Sequence, residues 1–386
     1  MNRRLELRKL IALAIPMALS QLLLISTVVV DNMMVGRLGT KELAAMGISV
    51  TYYTFLFVVA IGILTAVNPL ISHAHGAEEH HKIPNIVRHG ILIGLVCAVV
   101  IWLCILVAPT ALRWLGQDPE LIALGAAYLR ALCWGLPGLM IFIVLRQYAD
   151  AIGFPSPAVI LMALAFVLNI LLDWLWIYGK WGFPALGVTG AAYATASVNT
   201  MLALGMLAFS RWHPRFLRYP LWRETRLDSA TFRDILRLGL PMGGGMVTEV
   251  GYFCGSTWIA GLIGTIPLAA HQIALNIASF TFMIPLGLSF ASSVRIGHFA
   301  GAGKKEHARQ VGWMGLELAA ALETVNFVIL LVFAPHIARI YTQDPSTHAT
   351  AVLLLRTAAF FQVFDGLQVV GMHTRCEDSK TRRFPF

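Results

Sequence analysis

The stretch LIALAIPMALSQLLLISTVVVDNMMVGRLGTKELAA, residues 10–45, decides the fold because the chain carries it twice. Offset by 225 residues, the stretch ILRLGLPMGGGMVTEVGYFCGSTWIAGLIGTIPLAA at 235–270 repeats Pro16 as Pro241, Gly36 as Gly261, Gly39 as Gly264 and Thr40 as Thr265. The Leu43-Ala44-Ala45 triplet returns as Leu268-Ala269-Ala270. The register runs on without a gap, so that Ile71, His73, Gly76 and Ala77 meet Ile296, His298, Gly301 and Ala302. A register held over about sixty residues is the mark of an internal duplication.

Both copies are apolar, and so is the rest of the chain. Of 386 residues 58% are hydrophobic and only 13% charged, with a mean hydropathy of +0.72. A water-soluble fold of this size could not bury that much apolar surface, so the chain belongs in lipid. Cys97, Cys104, Cys133, Cys254 and Cys376 are scattered, with no CxxC pair, and indicate neither a disulfide framework nor a thiolate metal site. The formal charge of +9 does not point to nucleic acid, because the basic residues sit in short loops between apolar runs, as membrane proteins place them. Arg3, Arg4, Arg8 and Lys9 ahead of an apolar run look like a signal peptide. Its repeat at mid-chain cannot be a cleaved leader, so the first run is expected to stay as a helix.

A crossing needs roughly 20 mostly apolar residues. Ten runs qualify: Leu10 to Met34, Met46 to Leu70, His89 to Trp114, Leu121 to Tyr148, Ala158 to Tyr178, Val188 to Phe209, Phe232 to Ile259, Leu268 to Val294, Val311 to Ile340 and Ala349 to Met372. They lack the alternation of barrel strands and must close their backbone hydrogen bonds internally, which makes them helices. The expected fold is all-α and polytopic, with two homologous bundles. Residues 1–210 form a six-helix N-lobe, 211–231 a linker, and 232–386 a second lobe with four helices. Alternate loops collect 22 of the 29 basic residues on one side, including seven Arg between Arg211 and Arg237. That side is cytoplasmic and holds the N-terminus.

Ionisable side chains inside a span are functional candidates by default, because burying a charge there is costly. Asp31 stands about twenty residues into the first span. Asn169 and Asp173 are four apart on the fifth, one above the other on one helix face, where they can share a cation or proton. Glu249 sits near the middle of the seventh span and Asp365 on the tenth. Two placements are open for Asp31 and for Asp173, the latter followed by Trp174 and Trp176: solvated at the membrane interface, or buried and functional. At the 225-residue offset Asp31 faces Ser256 and Glu249 faces Leu24. The acids are therefore where the two copies diverge. The His73-to-His81 loop has metal-binding residue types without a ligand spacing, and reads as a solvated loop. Pro16, Pro241 and Pro285 within spans predict kinks. No catalytic constellation is visible.

The series Pro16, Gln21, Asp31, Met34, Gly36, Gly39, Leu43-Ala44-Ala45, with Asn169 and Asp173, Gly190-Ala191-Ala192, Pro241 with Glu249, Gly301-Ala302-Gly303 and Asp365, resembles the multidrug and toxic compound extrusion family, in particular its NorM-like bacterial branch. The resemblance implies two six-helix lobes forming a V around a cavity open alternately to either side. It implies export of organic cations in exchange for Na+ or H+ through a monomer of the bacterial inner membrane, with no other cofactor. It places an ion or proton site of the first lobe at Asp31, Asn169 and Asp173. Thr195 joins them, with Thr189 as the competing assignment. A second site falls at Glu249 and Asp365, where Na+ is the metal implied. Phe361 stands where some members carry a Tyr one turn before the second acid.

The family's Arg…Asp…Pro motif is visible as Arg146, Asp150 and Pro155. Its second copy, Arg375-Cys376-Glu377-Asp378-Ser379-Lys380-Thr381, lacks the proline. A frameshift or truncation that removes helices eleven and twelve is the expectation from that tail. Two alternatives follow: a non-functional transporter fragment, or an exporter of lipid-linked glycan from the same superfamily.

Overall fold

The computed structural model describes residues 2–114, 118–219, 221 and 228–378, with side chains through Met372. The second Arg…Asp motif, beginning at Arg375, thus lies outside the described side chains. The elements are α1 (Arg3–Gly36), α2 (Thr40–Thr65), α3 (Val67–Gly76), α4 (Ile83–Trp114), α5 (Pro119–Cys133), α6 (Leu136–Ala151), α7 (Ser156–Tyr178), α8 (Val188–Trp212), α9 (Pro214–Leu217), α10 (Ser229–Ile263), α11 (Thr265–Gly301), α12 (Lys305–Tyr341) and α13 (Pro345–Asp378). Eight of the ten expected spans each lie in one continuous helix, whereas Met46 to Leu70 is divided between α2 and α3 and Leu121 to Tyr148 between α5 and α6. Among the described residues, eight stretches are long and apolar enough to cross a membrane, nine with the bent pair α5–α6. α10 has the length, 35 residues, but carries Arg233, Asp234 and Arg237 in its first turns and Gly243-Gly244-Gly245 in its middle.

Local chemistry explains the breaks. The run Leu121 to Tyr148 is not one helix: Gly135 and Pro137 divide it into α5 and α6, bent by 51°. Pro137 has no N–H to give the preceding turn, and its ring crowds that turn's carbonyls. α13 has no proline beyond its first residue and is a single 34-residue helix. Pro16, Pro241 and Pro285 lie inside helices that stay continuous. α5 and α13 start alike, each on an Asp N-cap followed by proline. Asp118 accepts from the Glu120 N–H at 2.8 Å, and Asp344 from the Thr347 N–H at 2.8 Å.

The duplication is written into the backbone. Gly39 and Gly264 precede α2 and α11 with φ of 159° and 151°, a conformation reserved almost entirely for glycine. α3 ends at Gly76 and α11 at Gly301, again 225 apart.

The chain divides into two compact units, Met1–Leu22 with Gly76–Glu78 and Thr248–Phe386, and Leu23–His75 with Glu79–Val247. The division by compactness differs from the division by repeat. It cuts α1 after Leu22 and α10 after Val247, and these two cuts stand 225 residues apart. Glycine contacts account for the exchange. In the unit built on residues 23–247, Gly62 of α2 meets the backbone of α10 at Gly243. In the unit built on the C-terminal helices, Gly287 of α11 meets the α1 backbone at Ala18. Gly62 and Gly287, like Ala18 and Gly243, are repeat-related. The absence of a side chain lets helix backbones approach closely, which is how helices associate in lipid.

Within the first of these units, α2, α4, α5, α6 and α8 pack together, with α7 on α8. Its core holds Leu64, Leu129, Met140, Phe142 and Tyr148. In the other, α11, α12 and α13 pack on one another around Leu288, Ala291, Val294, Ala319 and Val370, with Leu10 and Met17 of α1. α4 presents Val96, Val99, Val100, Leu103, Leu106 and Val107 outward. An apolar stripe of this kind suits contact with acyl chains.

Candidate functional site

α1, α7 and α8 bring four of the expected residues together. The Asn169 amide Nδ2 donates to Asp31 Oδ1 at 3.1 Å and to Asp173 Oδ2 at 2.8 Å. Thr195 Oγ1 donates to Asp31 Oδ2 at 3.3 Å. Thr195 is thus the threonine bonded to the acid. Asp31 is 6% exposed, Asn169 1% and Asp173 0%. A solvent-exposed placement of the two acid side chains is thereby excluded: both are enclosed by the packed helices of the unit. The helical repeat sets this up, since Asn169 and Asp173 share a face of α7 one turn apart.

Hydrogen bonding at the cluster is incomplete. Asn169 Oδ1 and Asp173 Oδ1 are buried without a partner. Buried acceptors are rarely left unpaired, and a carboxylate pair sharing one amide has oxygens to spare for a proton or a hard cation. Tyr128 of α5, buried beside them, lies within electrostatic range of both acids. The sequence reading missed it, because nothing in the pattern of α5 separates this tyrosine from a core residue.

The second pair is looser. Glu249 of α10 is exposed and Asp365 of α13 half-buried, and the charge of Glu249 acts on Asp365. Phe361 packs its ring edge-on to Phe253, centroids 6.3 Å apart, so this site has no phenol oxygen one turn before Asp365. Carboxylate oxygens are the donor type that a hard cation takes. A further acid went unrecognised in the sequence: Glu323, in the middle of α12 and 2% exposed. The signal was there, an ionisable residue inside the run Val311 to Ile340 with Asn326 three positions on.

The Arg146 and Asp150 pair is i,i+4 on α6, with Nε 3.7 Å from Oδ2, and Pro155 caps α7. The expected solvated loop is corrected in its first part: His73 and His75 lie in α3 and are partly buried, with His75 Nδ1 and the Tyr219 hydroxyl 2.8 Å apart. No three metal-binding side chains converge among the described residues.

A bundle of membrane-crossing helices with carboxylates buried inside each unit defines a class, that of multi-pass membrane transporters. The particular family follows from comparison. Residues 16–175 and 241–381 match the family model described as MatE; the chain belongs to the multidrug and toxic compound extrusion (MATE) family, whose members are transporters and not enzymes. The chain is 34% identical over 388 residues, 97% of its length and 83% of the relative's, to a probable multidrug resistance protein NorM of Pseudomonas putida. It is 35% identical to the protein of the same description in Geobacillus kaustophilus, over 93% and 80% of the two chains. Among solved structures, the eukaryotic MATE transporter AtDTX14 superposes with a TM-score of 0.87 at 19% identity, over 97% of this chain and 83% of that one. A MOP superfamily transporter from Pyrococcus furiosus, described as having a binding pocket of reversed polarity that suggests a different function, superposes with 0.84 at 23%, over 97% and 84%. The fold is thus shared by pockets of different polarity, and substrate must be argued from residues.

Proposed function

We propose that this protein is a secondary antiporter that exports organic cations, drugs among them, in exchange for H+ or Na+. The observation that carries the reading is the buried Asp31–Asn169–Asp173–Thr195 cluster with two unpartnered oxygens. An acid pair in that setting holds one cation or proton more favourably than none. Binding neutralises a charge that the packed helices otherwise have to accommodate, and so changes which packing is favoured. Coupling then needs only that drug and ion prefer opposite states, each shifting the balance by its differential affinity.

Glu249 and Asp365 serve as the second acid site, with Na+ or H+ as occupant. The names of the NorM relatives support drugs as the exported class. The transporter is read as a monomer of the bacterial inner membrane with its N-terminus in the cytoplasm, an orientation supported by the 22 of 29 basic residues gathered on one side.

The test is efflux of ethidium and norfloxacin from cells expressing the chain, with and without a sodium gradient, beside Glu249→Gln and Asp365→Asn. Efflux that depends on an ion gradient in the parent and falls in both variants is expected. Unchanged efflux in both variants refutes the second acid site.

A further inference from the structure

The corner where α8 gives way to α9 carries three arginines with no acid to answer them. Arg211 lies in the last turn of α8, Arg215 in α9 and Arg218 just after it, all exposed. Lys9, Lys82, Arg146 and Arg309 each hold a carboxylate, whereas none of these three does among the described residues. Between them in the chain stand two large apolar side chains turned to the outside, Trp212 at 76% and Leu217 at 58% exposure.

The corner is pinned from beneath. Phe216 and Tyr219 are buried, Phe216 against the ring of Tyr148 of α6 with centroids 5.3 Å apart, and Tyr219 against His75 of α3. His213 Nδ1 accepts from the Arg215 N–H at 3.3 Å, and its ring centroid stands 4.9 Å from that of Phe154. The Arg215 guanidinium lies over the same Phe154 ring at 4.4 Å. A guanidinium stacked in this way keeps N–H groups in its own plane for an anion. Two buried aromatic rings therefore hold the segment down while its charges and its Trp212 and Leu217 side chains face outward.

The level of the corner follows from α8. Val188–Trp212 is long and apolar enough to cross a membrane, so Trp212 stands where the span ends. Tryptophan favours the headgroup level, and arginines at that level attract anionic lipid. Arginines alone would suit any anion. An exposed Trp and Leu among them gain nothing from a nucleic acid or another aqueous polyanion, but fit the boundary between headgroups and acyl chains.

We propose that Arg211, Trp212, Arg215, Leu217 and Arg218 form a docking surface for anionic phospholipid. The guanidinium groups take the headgroup charge, and Trp212 and Leu217 enter the acyl boundary. Through Phe216 and Tyr219 the bound lipid is tied to α6 and α3.

Native mass spectrometry of the purified full chain, titrated with phosphatidylglycerol or with phosphatidylcholine of the same acyl chains, reads the affinity. The parent is expected to bind phosphatidylglycerol more tightly. Each arginine neutralised is expected to weaken that binding about fivefold, and Arg211→Gln/Arg215→Gln/Arg218→Gln about a hundredfold, with phosphatidylcholine unchanged. Arg211→Gln/Arg218→Gln leaves Arg215 on Phe154 and is expected to lose about 25-fold, which keeps the test decisive if the triple variant does not fold. Trp212→Ala/Leu217→Ala is expected to weaken both lipids. As a control, Arg37→Gln/Arg113→Gln/Lys180→Gln removes the same charge from other exposed positions of the unit and is expected to bind like the parent. Equal weakening by the two triple variants overturns the proposal, as does a parent that does not distinguish the two lipids. Displacement of phosphatidylglycerol by an equal concentration of inorganic phosphate overturns it as well, by making the corner a site for a free anion.

Discussion

At the scale of single residues the structure separates two kinds of acid. Asp31 and Asp173 are buried and share Asn169 between them, whereas Asp344 sits at a helix start outside the membrane. Removing the shared amide leaves Asp173 without its donor and Asp31 with Thr195 alone, which costs about 1–3 kcal/mol. Asn169→Leu is therefore expected to lower the thermal midpoint in detergent. An unchanged midpoint would count against the shared-donor geometry. Asp344 behaves oppositely to a buried acid. The Ser346 hydroxyl, with the Thr347 hydroxyl and N–H, holds its carboxyl down to about 2. Because the folded value lies below the ordinary one, the capping contribution is complete above the ordinary carboxylate range and is lost as pH falls through about 2. Asp344→Ala is expected to lower the melting temperature at neutral pH, and the difference from the parent should close toward that acid limit.

Asp31, Asn169, Asp173, Glu249 and Asp365 were legible as ionisable or polar residues in apolar runs, and the shared face of Asn169 and Asp173 as a four-residue spacing. Their depth was not: burial at Asp31 depends on α7 and α8, far away in sequence. Glu323 was equally visible in principle. It went unread because its surroundings, Gly366 beside its carboxyl and Gln362 sharing the Asn326 donor, lie on another helix.

Elements carry the duplication. Gly39 and Gly264 take the same rare backbone conformation, and Gly62 with Gly243 repeats as Gly287 with Ala18. Gly287→Val pushes a side chain into the α1 backbone at Ala18, and Gly62→Val does the same to α10 at Gly243. Overpacking of this kind costs about 1–3 kcal/mol, and the two variants should lower the melting temperature by similar amounts. A loss in one copy with tolerance in the other would contradict the equivalence. The register of the repeat was legible from Pro16, Gly36 and Leu43-Ala44-Ala45 against their partners. The break at Gly135 and Pro137 was not anticipated: an apolar run of that length reads as one span, and only the geometry shows where the proline stops it. The exchange of helix halves between compact units was likewise beyond composition, since it follows from which glycines meet.

For the whole molecule the class was fixed by composition. A chain with 58% hydrophobic residues arranged in ten runs has no place to bury them except lipid. What the molecule does with that fold is decided by the few polar groups inside it, and the central claim is that the Asp31–Asn169–Asp173 cluster binds the ion that drives export. The direct measurement is ethidium movement in proteoliposomes under an imposed pH or sodium gradient, comparing the parent with Asp173→Asn. The amide keeps the volume and a hydrogen-bonding oxygen but cannot take up a proton or hold a charge. The account predicts gradient-driven ethidium movement in the parent and a rate at least about tenfold lower in the variant, the equivalent of about 1.4 kcal/mol of lost coupling. Equal gradient-driven movement in parent and Asp173→Asn would contradict it.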